Sequence, residues 1–383
     1  MLAAVAAASL SLPVESQSAR AQASASLQPG GVGETILVRL AFLTDTHYWP
    51  PSDARTRWVA ASDAAPERDG LLVNESAYIS ALGMAALADF KDTGGAMAVH
   101  LGDAVNGGGS FHMPLDEYSA ALYSLRAAQE AALGEWPVLH IPGNHDLGPD
   151  DYGGLDEWRA ALGPRVADAP ADAARSAHTP LRASTRALTE DPSPPGGANY
   201  RSIRAARGWR LLLLDSTDGL HTDVGHGHVG VAQLSWLESE LTRSAMANER
   251  VVIGMHQLLV PPVGMGPIGG AGDLIDNGHE VIALLGRYPH VTLSLHGHVH
   301  ANTATTMRLA GGHELTLMSL ASTTEYPLQW HEVTLRPCAL ELRHRSIDAP
   351  ELANASLLRE NRPGFARVKN QSAADPGLYI RTC

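Results

Sequence analysis

Cysteine is almost missing from this chain. Cys338 and Cys383 are the only two in 383 residues, with no Cys-x-x-Cys spacing, so a zinc-thiolate site is excluded and any metal must use oxygen and nitrogen ligands. In an oxidising compartment the two could close the C-terminal segment into a loop, and in a reducing one they would stay as free thiols. Basic residues are also scarce. Lys and Arg total 28 against 41 Asp and Glu, a formal net charge of -13, and no basic stripe suits the backbone of a long nucleic acid. Past the N-terminal leader no apolar run reaches the ~18 residues that a spanning helix needs, so no membrane span is expected. No Ser or Cys nucleophile motif stands out, which leaves metal-assisted or acid–base chemistry.

What is abundant is histidine, 18 residues in a chain with 44% hydrophobic and 18% charged residues. Imidazole is the commonest metal ligand and the usual acid or base near pH 7. The length fits one large domain with decorations. Residues 1–30 read as a leader: Met1 to Leu12 are Ala, Val, Leu and Ser, and Ala21-Gln22-Ala23 resembles an export-signal cleavage site. Export to a periplasmic or extracellular location is the expectation. A disordered Ala/Ser leader on a cytoplasmic protein is the alternative. The main domain is expected over 31–347, followed by a tail at 348–383. Within it, residues 147–200 are rich in Ala, Asp, Pro and Gly, with one helical patch at 155–162, and read as an insertion. It could be a lid or substrate rim, or a disordered excursion.

Five short apolar runs share one grammar. Residues 35–43 end in Thr44-Asp45-Thr46-His47, 96–101 in Gly102-Asp103, and 137–141 in Pro142-Gly143-Asn144-His145-Asp146. Residues 251–253 end in Gly254-Met255-His256, and 291–295 in His296-Gly297-His298-Val299-His300. Each reads as a buried strand that delivers polar groups at its carboxyl end, where ligands collect in layered α/β sheets. Helical stretches at 75–90, 116–133 and 231–247 alternate with them, as an α/β or mixed-layer fold requires. Further strands are expected at 210–214 and 314–320, with a hairpin at 330–345.

Asp45 and His47 lie two apart, so both can project to one side, and carboxylate plus imidazole suits a borderline transition metal. Asp103 could bridge two cations, Asn144 offers a neutral oxygen, and His256, His298 and His300 add nitrogens. Seven ligands with Asp103 shared give four contacts to each of two metals, leaving positions open for water and substrate. Taken singly, any of these residues would more often cap a turn or meet water. Their joint order is what carries the reading. His226 and His228 have the same Gly-His-x-His spelling but follow no apolar strand and are set aside, except at a pocket rim. His296 is read as structural.

The ordered set Asp45-Thr46-His47, Gly102-Asp103, Gly143-Asn144-His145-Asp146, His256 and Gly297-His298-Val299-His300 resembles the calcineurin-like metallophosphoesterases. It looks closest to the branch of bacterial cyclic-nucleotide and glycerophosphodiester phosphodiesterases, over residues 36 to 325. The resemblance implies a four-layer αββα sandwich of two mixed β-sheets flanked by helices, with the metals at the strand C-terminal ends. It implies that Asp45, His47, Asp103 and His300 hold one metal, and Asp103, Asn144, His256 and His298 the other. The pair would be divalent or mixed-valence Mn, Fe, Zn or Co. His145 would face the phosphoryl group as proton donor or clamp, with Asp146 orienting it. The related purple acid phosphatases place a Tyr three residues after the bridging Asp. Asn106 stands there, so a tyrosinate ligand is not expected.

The expected reaction is in-line hydrolysis of a small phosphate diester by a metal-bridging hydroxide, two cations ~3.5–4 Å apart offsetting the charge that protects the ester. A phosphomonoesterase using the same site, or a non-catalytic binding module on the fold, are the rivals. The sequence does not set the oligomeric state.

Overall fold

Val38-Arg39-Leu40-Ala41-Phe42-Leu43 forms the first strand, β1 (Val38–Leu43), and its period-two alternation decides the layers. Val38, Leu40 and Phe42 enter one cluster with side chains from a second sheet, while Ala41 and Leu43 enter another with helix residues. A strand covered on both faces must be apolar almost throughout, which is why the run was readable.

The computed structural model describes residues 35–50, 72, 74–107, 115–147, 155–163, 189–190, 198–217, 225–262, 274–360, 363–375 and 377–383. The expected leader, most of the 147–200 insertion, His112 and His221 lie outside them. The strands after β1 are β2 (Met97–His100), β3 (Val138–His140), β4 (Thr189–Glu190), β5 (Arg201–Ala206), β6 (Trp209–Leu213) and β7 (Arg250–Met255). They continue with β8 (Val291–His296), β9 (Thr303–Arg308), β10 (Glu314–Ser319), β11 (Gln329–Arg336), β12 (Ala339–Ser346) and β13 (Leu378–Arg381). The helices are α1 (Ser76–Asp92), α2 (Leu115–Leu133), α3 (Leu155–Ala161), α4 (Val231–Met246), α5 (Gly278–Leu285), α6 (Pro350–Arg359) and α7 (Pro363–Ala374).

One sheet has the order β13-β12-β11-β1-β2-β3 and the other β4-β5-β6-β7-β8-β10-β9. Both are mixed. β1, β2 and β3 run parallel, as do β6, β7, β8 and β10, whereas the flanking strands pair antiparallel. The inner faces meet through residues such as Phe42, Val99, Ile141, Leu213, Val252 and Leu295. α1 and α2 cover the outer face of the first sheet, and α4 and α5 that of the second. This is the expected αββα sandwich, with the carboxyl ends of β1, β2, β3, β7 and β8 converging.

Three segments differ from the reading of the sequence. β5 carries two arginines in six residues, and β9, at a sheet edge, alternates exposed and half-buried side chains after a buried Thr303, so neither has the apolar signature of an inner strand. Residues 348–383, read as a tail, contain α6, α7 and an edge strand paired with β12. A disulfide between Cys338 and Cys383, with Cα atoms 5.2 Å apart, ties the end of that segment to the turn between β11 and β12.

Candidate metal centre

Five of the seven expected ligands have a left-handed backbone: Asp45 (φ 52°), His47 (45°), Asp103 (55°), His298 (73°) and His300 (54°). Non-glycine residues rarely adopt it, Asp and His more readily than most, and it persists only where surrounding bonds over-determine the backbone. Those bonds are present. The N–H groups of Asp45, His47 and Tyr48 donate to the carbonyls of Gly102, Asp103 and Ala104, zipping together the turns after β1 and β2. The Asp45 carbonyl accepts from the Ser322 and Thr324 hydroxyls at 2.7 and 3.1 Å. Glycine is required where these turns crowd. A Cβ on Gly297 would collide with the Thr44 hydroxyl, and one on Gly143 with the Asp103 carboxylate.

The turns bring all seven ligands together. Asp45 Oδ1 lies 3.3 Å from His300 Nε2 and 4.0 Å from His47 Nε2, and the two imidazole nitrogens are 3.2 Å apart. Beside this group, His256 Nε2 lies 3.0 Å from Asp103 Oδ2, 3.2 Å from Asn144 Oδ1 and 3.2 Å from His298 Nδ1. Asp103 Oδ2 is also 4.0 Å from His47 Nε2, so it stands between the two groups. The other Asp103 oxygen accepts the backbone N–H of His145 at 2.8 Å, whereas the buried Oδ2 faces imidazole nitrogens, His256 Nε2 at 3.0 Å and His47 Nε2 at 4.0 Å. A buried carboxylate oxygen set among imidazole nitrogens fits a cation.

The protonation states suit the same reading. Burial, reinforced by His145, pushes His47 down to about 3, so its lone pair is available. Burial would raise the carboxyls of Asp45 and Asp103, but His300 beside the first and His256 beside the second hold them low. Burial would lower His256, yet Asp103 and Asp45 together lift it to about 9, so a metal entering there displaces a proton. Burial also lowers His145, which leaves a neutral ring 4.9 Å from that of His47, at the edge of the cluster.

The remaining polar atoms fix which imidazole nitrogen faces inward. His47 Nδ1 meets Asn106 Oδ1 at 2.6 Å, His256 Nδ1 meets the Leu101 carbonyl at 2.7 Å, and His300 Nδ1 meets Glu325. With Nδ1 donating, each Nε2 is left as a ligand atom. Asn106 thus supports a ligand rather than serving as one. Neither Asn106 nor Glu325 was singled out as a supporting residue from sequence, because a lone Asn or Glu outside a motif has no signature. Asp146 braces the turn that carries His145. Its carboxylate accepts the backbone N–H groups of Val105 and Gly143 at 3.1 and 3.0 Å, and its carbonyl accepts from the Tyr118 hydroxyl at 2.6 Å. It therefore acts on His145 through the turn. His296 is structural, bonded to the Gln257 carbonyl and Ser294, and His226 pairs with Asp276 away from the cluster.

The family model for calcineurin-like phosphoesterases matches residues 38–302, which carry all seven candidate ligands. The chain belongs to that family. Among curated members, a 3′,5′-cyclic-nucleotide phosphodiesterase of Nostoc sp. is 33% identical over 92 residues, 24% of this chain and 32% of the relative. A glycerophosphodiester phosphodiesterase of Enterobacter lignolyticus is 29% identical over 233 residues, 61% of this chain and 64% of the relative. The chain thus spans about a third of the first relative and under two thirds of the second. A dimetal phosphatase from Danio rerio shares the fold, with a TM-score of 0.53 at 16% identity, covering 82% of this chain and 97% of that one. The matched region ends just past the His298-Val299-His300 turn, so Glu325 and the C-terminal helices lie beyond it.

Proposed function

We propose that this calcineurin-like phosphoesterase hydrolyses small phosphate diesters at a dinuclear metal centre. One observation carries the reading: the buried Asp103 Oδ2 stands between two groups of candidate ligand atoms, Asp45 with His47 and His300, and His256 with Asn144 and His298. Bound there, two cations would draw charge from the phosphoryl oxygens and activate the attacking water. The protein's part is to hold its ligands rigid on strand ends and keep their lone pairs inward. His145, tethered through its backbone to Asp103, stands where its neutral ring can donate an N–H hydrogen bond to the leaving oxygen. Diesters are preferred over monoesters because the curated relatives named above are phosphodiesterases. A net charge of -13 favours a small ester over a long nucleic acid. Export is proposed as well, the Cys338–Cys383 disulfide being suited to an oxidising compartment.

The test is to strip the protein with chelator, restore Mn, Zn, Fe or Co separately, and assay bis(p-nitrophenyl) phosphate beside p-nitrophenyl phosphate. Metal-dependent diester turnover that falls to background in Asp103→Ala is the expected result. Turnover confined to the monoester would move the substrate class while keeping the site. Silence on both esters with every metal would favour a binding module and overturn the catalytic reading.

A further inference from the structure

Lys369, on α7, is fully buried. A lysine ammonium is tolerated there only when its charge is met, and two carboxylates meet it: Glu325, and Glu360 at 2.6 Å. Glu325 is itself 1% exposed and holds the Nδ1 side of His300. The helix that carries Lys369 also touches the metal turn directly. Val368, its neighbour in sequence, packs in one cluster with Val299 and Ala301, the residues on either side of His300. α6 ties down the same segment, its Ser356 hydroxyl accepting the N–H of Tyr326 at 2.8 Å.

We infer that α6 and α7 form a positioning clamp for one metal ligand, in which Glu360 holds Lys369, Lys369 holds Glu325, and Glu325 holds the Nδ1–H of His300. The clamp rests on the metal-centre reading above and adds that the C-terminal segment, beyond the family-matched residues 38–302, takes part in the centre. It acts on one side only. The groups bonded to Nδ1 of His47 and His256 are Asn106 and the Leu101 carbonyl, neither of which belongs to α6 or α7. Glu325, Lys369 and Glu360 are positioning residues; none reaches a substrate or a reacting atom.

The test compares two variants with the full-length wild type. Lys369→Met with Glu360→Gln removes one positive and one negative charge together, so the buried charge balance is kept while Glu325 loses its tether. Glu325→Gln changes the His300 partner itself with little change of shape. Each metal-stripped protein is titrated with Co(II), reading visible absorption and bound metal, and melting curves verify folding. Outer partners of a metal-bound His are worth about 10- to 100-fold in affinity, so one of the two dissociation constants should rise by that factor while the other changes less than about threefold. Two unchanged constants in a folded variant, or two that rise in parallel, would overturn the clamp. A wild type that binds no Co(II) would overturn the metal centre itself and the clamp with it.

Discussion

An imidazole can bind a metal through either nitrogen, and in three of the four histidine ligands the choice is made by what holds Nδ1. Asn106, the Leu101 carbonyl and Glu325 each take that nitrogen, so Nε2 of His47, His256 and His300 points into the cluster. His298 reverses the usage and presents Nδ1. Asn106 is the simplest of these to test, because its amide both accepts from His47 Nδ1 and donates to the His47 carbonyl at 3.2 Å. Asn106→Ala should free the His47 ring to turn, with a melting curve to verify folding. Metal affinity should drop by ~10- to 100-fold, read by metal analysis after dialysis against graded chelator. Retention of metal at wild-type affinity would show that packing alone orients His47.

At the scale of elements, the site is a consequence of where strands stop. Each parallel strand is pinned on both faces by apolar contacts, so the turn at its carboxyl end inherits a fixed position and the ligands meet without a flexible loop. The C-terminal elements are held by a covalent link as well. Cys338–Cys383 closes a loop with a sequence separation of 45, and a closure of that length stabilises by about 2–4 kcal/mol. Cys383→Ser should lower the unfolding free energy by that amount and expose α6, α7 and the edge strand β13 to protease before the inner strands. An unchanged denaturation midpoint with an intact proteolysis pattern would mean that the pairing of β12 with β13 suffices. The tail reading failed at this scale. α7 has little apolar content, so nothing in its periodicity reveals that Val368 and Lys369 are buried.

For the molecule as a whole, acid is the expected weakness. His100 and His344, and with them His140 and His331, are buried as neutral rings. Burial pushes the first two down to about 4 and the other two well below their usual value. A group whose folded pKa is depressed contributes stability that is full above its unfolded value near 6.5 and is lost as pH falls toward the folded one. His100 and His344 should each cost ~3 kcal/mol by pH 4. Urea unfolding at pH 7.5, 5.5 and 4.5 should show a steadily falling midpoint, and a flat profile would refute the neutral-histidine account. The sequence by itself determined the five inner strands and the alternation of layers, and it singled out the seven candidate ligands and His145. A strand buried on both faces has to be written in continuous apolar residues, and its polar terminus then stands out. Tertiary structure alone decided which nitrogen each histidine offers, that Asp146 braces a turn, and that a buried lysine near the C-terminus reaches the metal turn. Those roles depend on contacts between residues far apart in the chain, such as Lys369 with Glu325 or Val368 with Val299, which leave no local pattern to read.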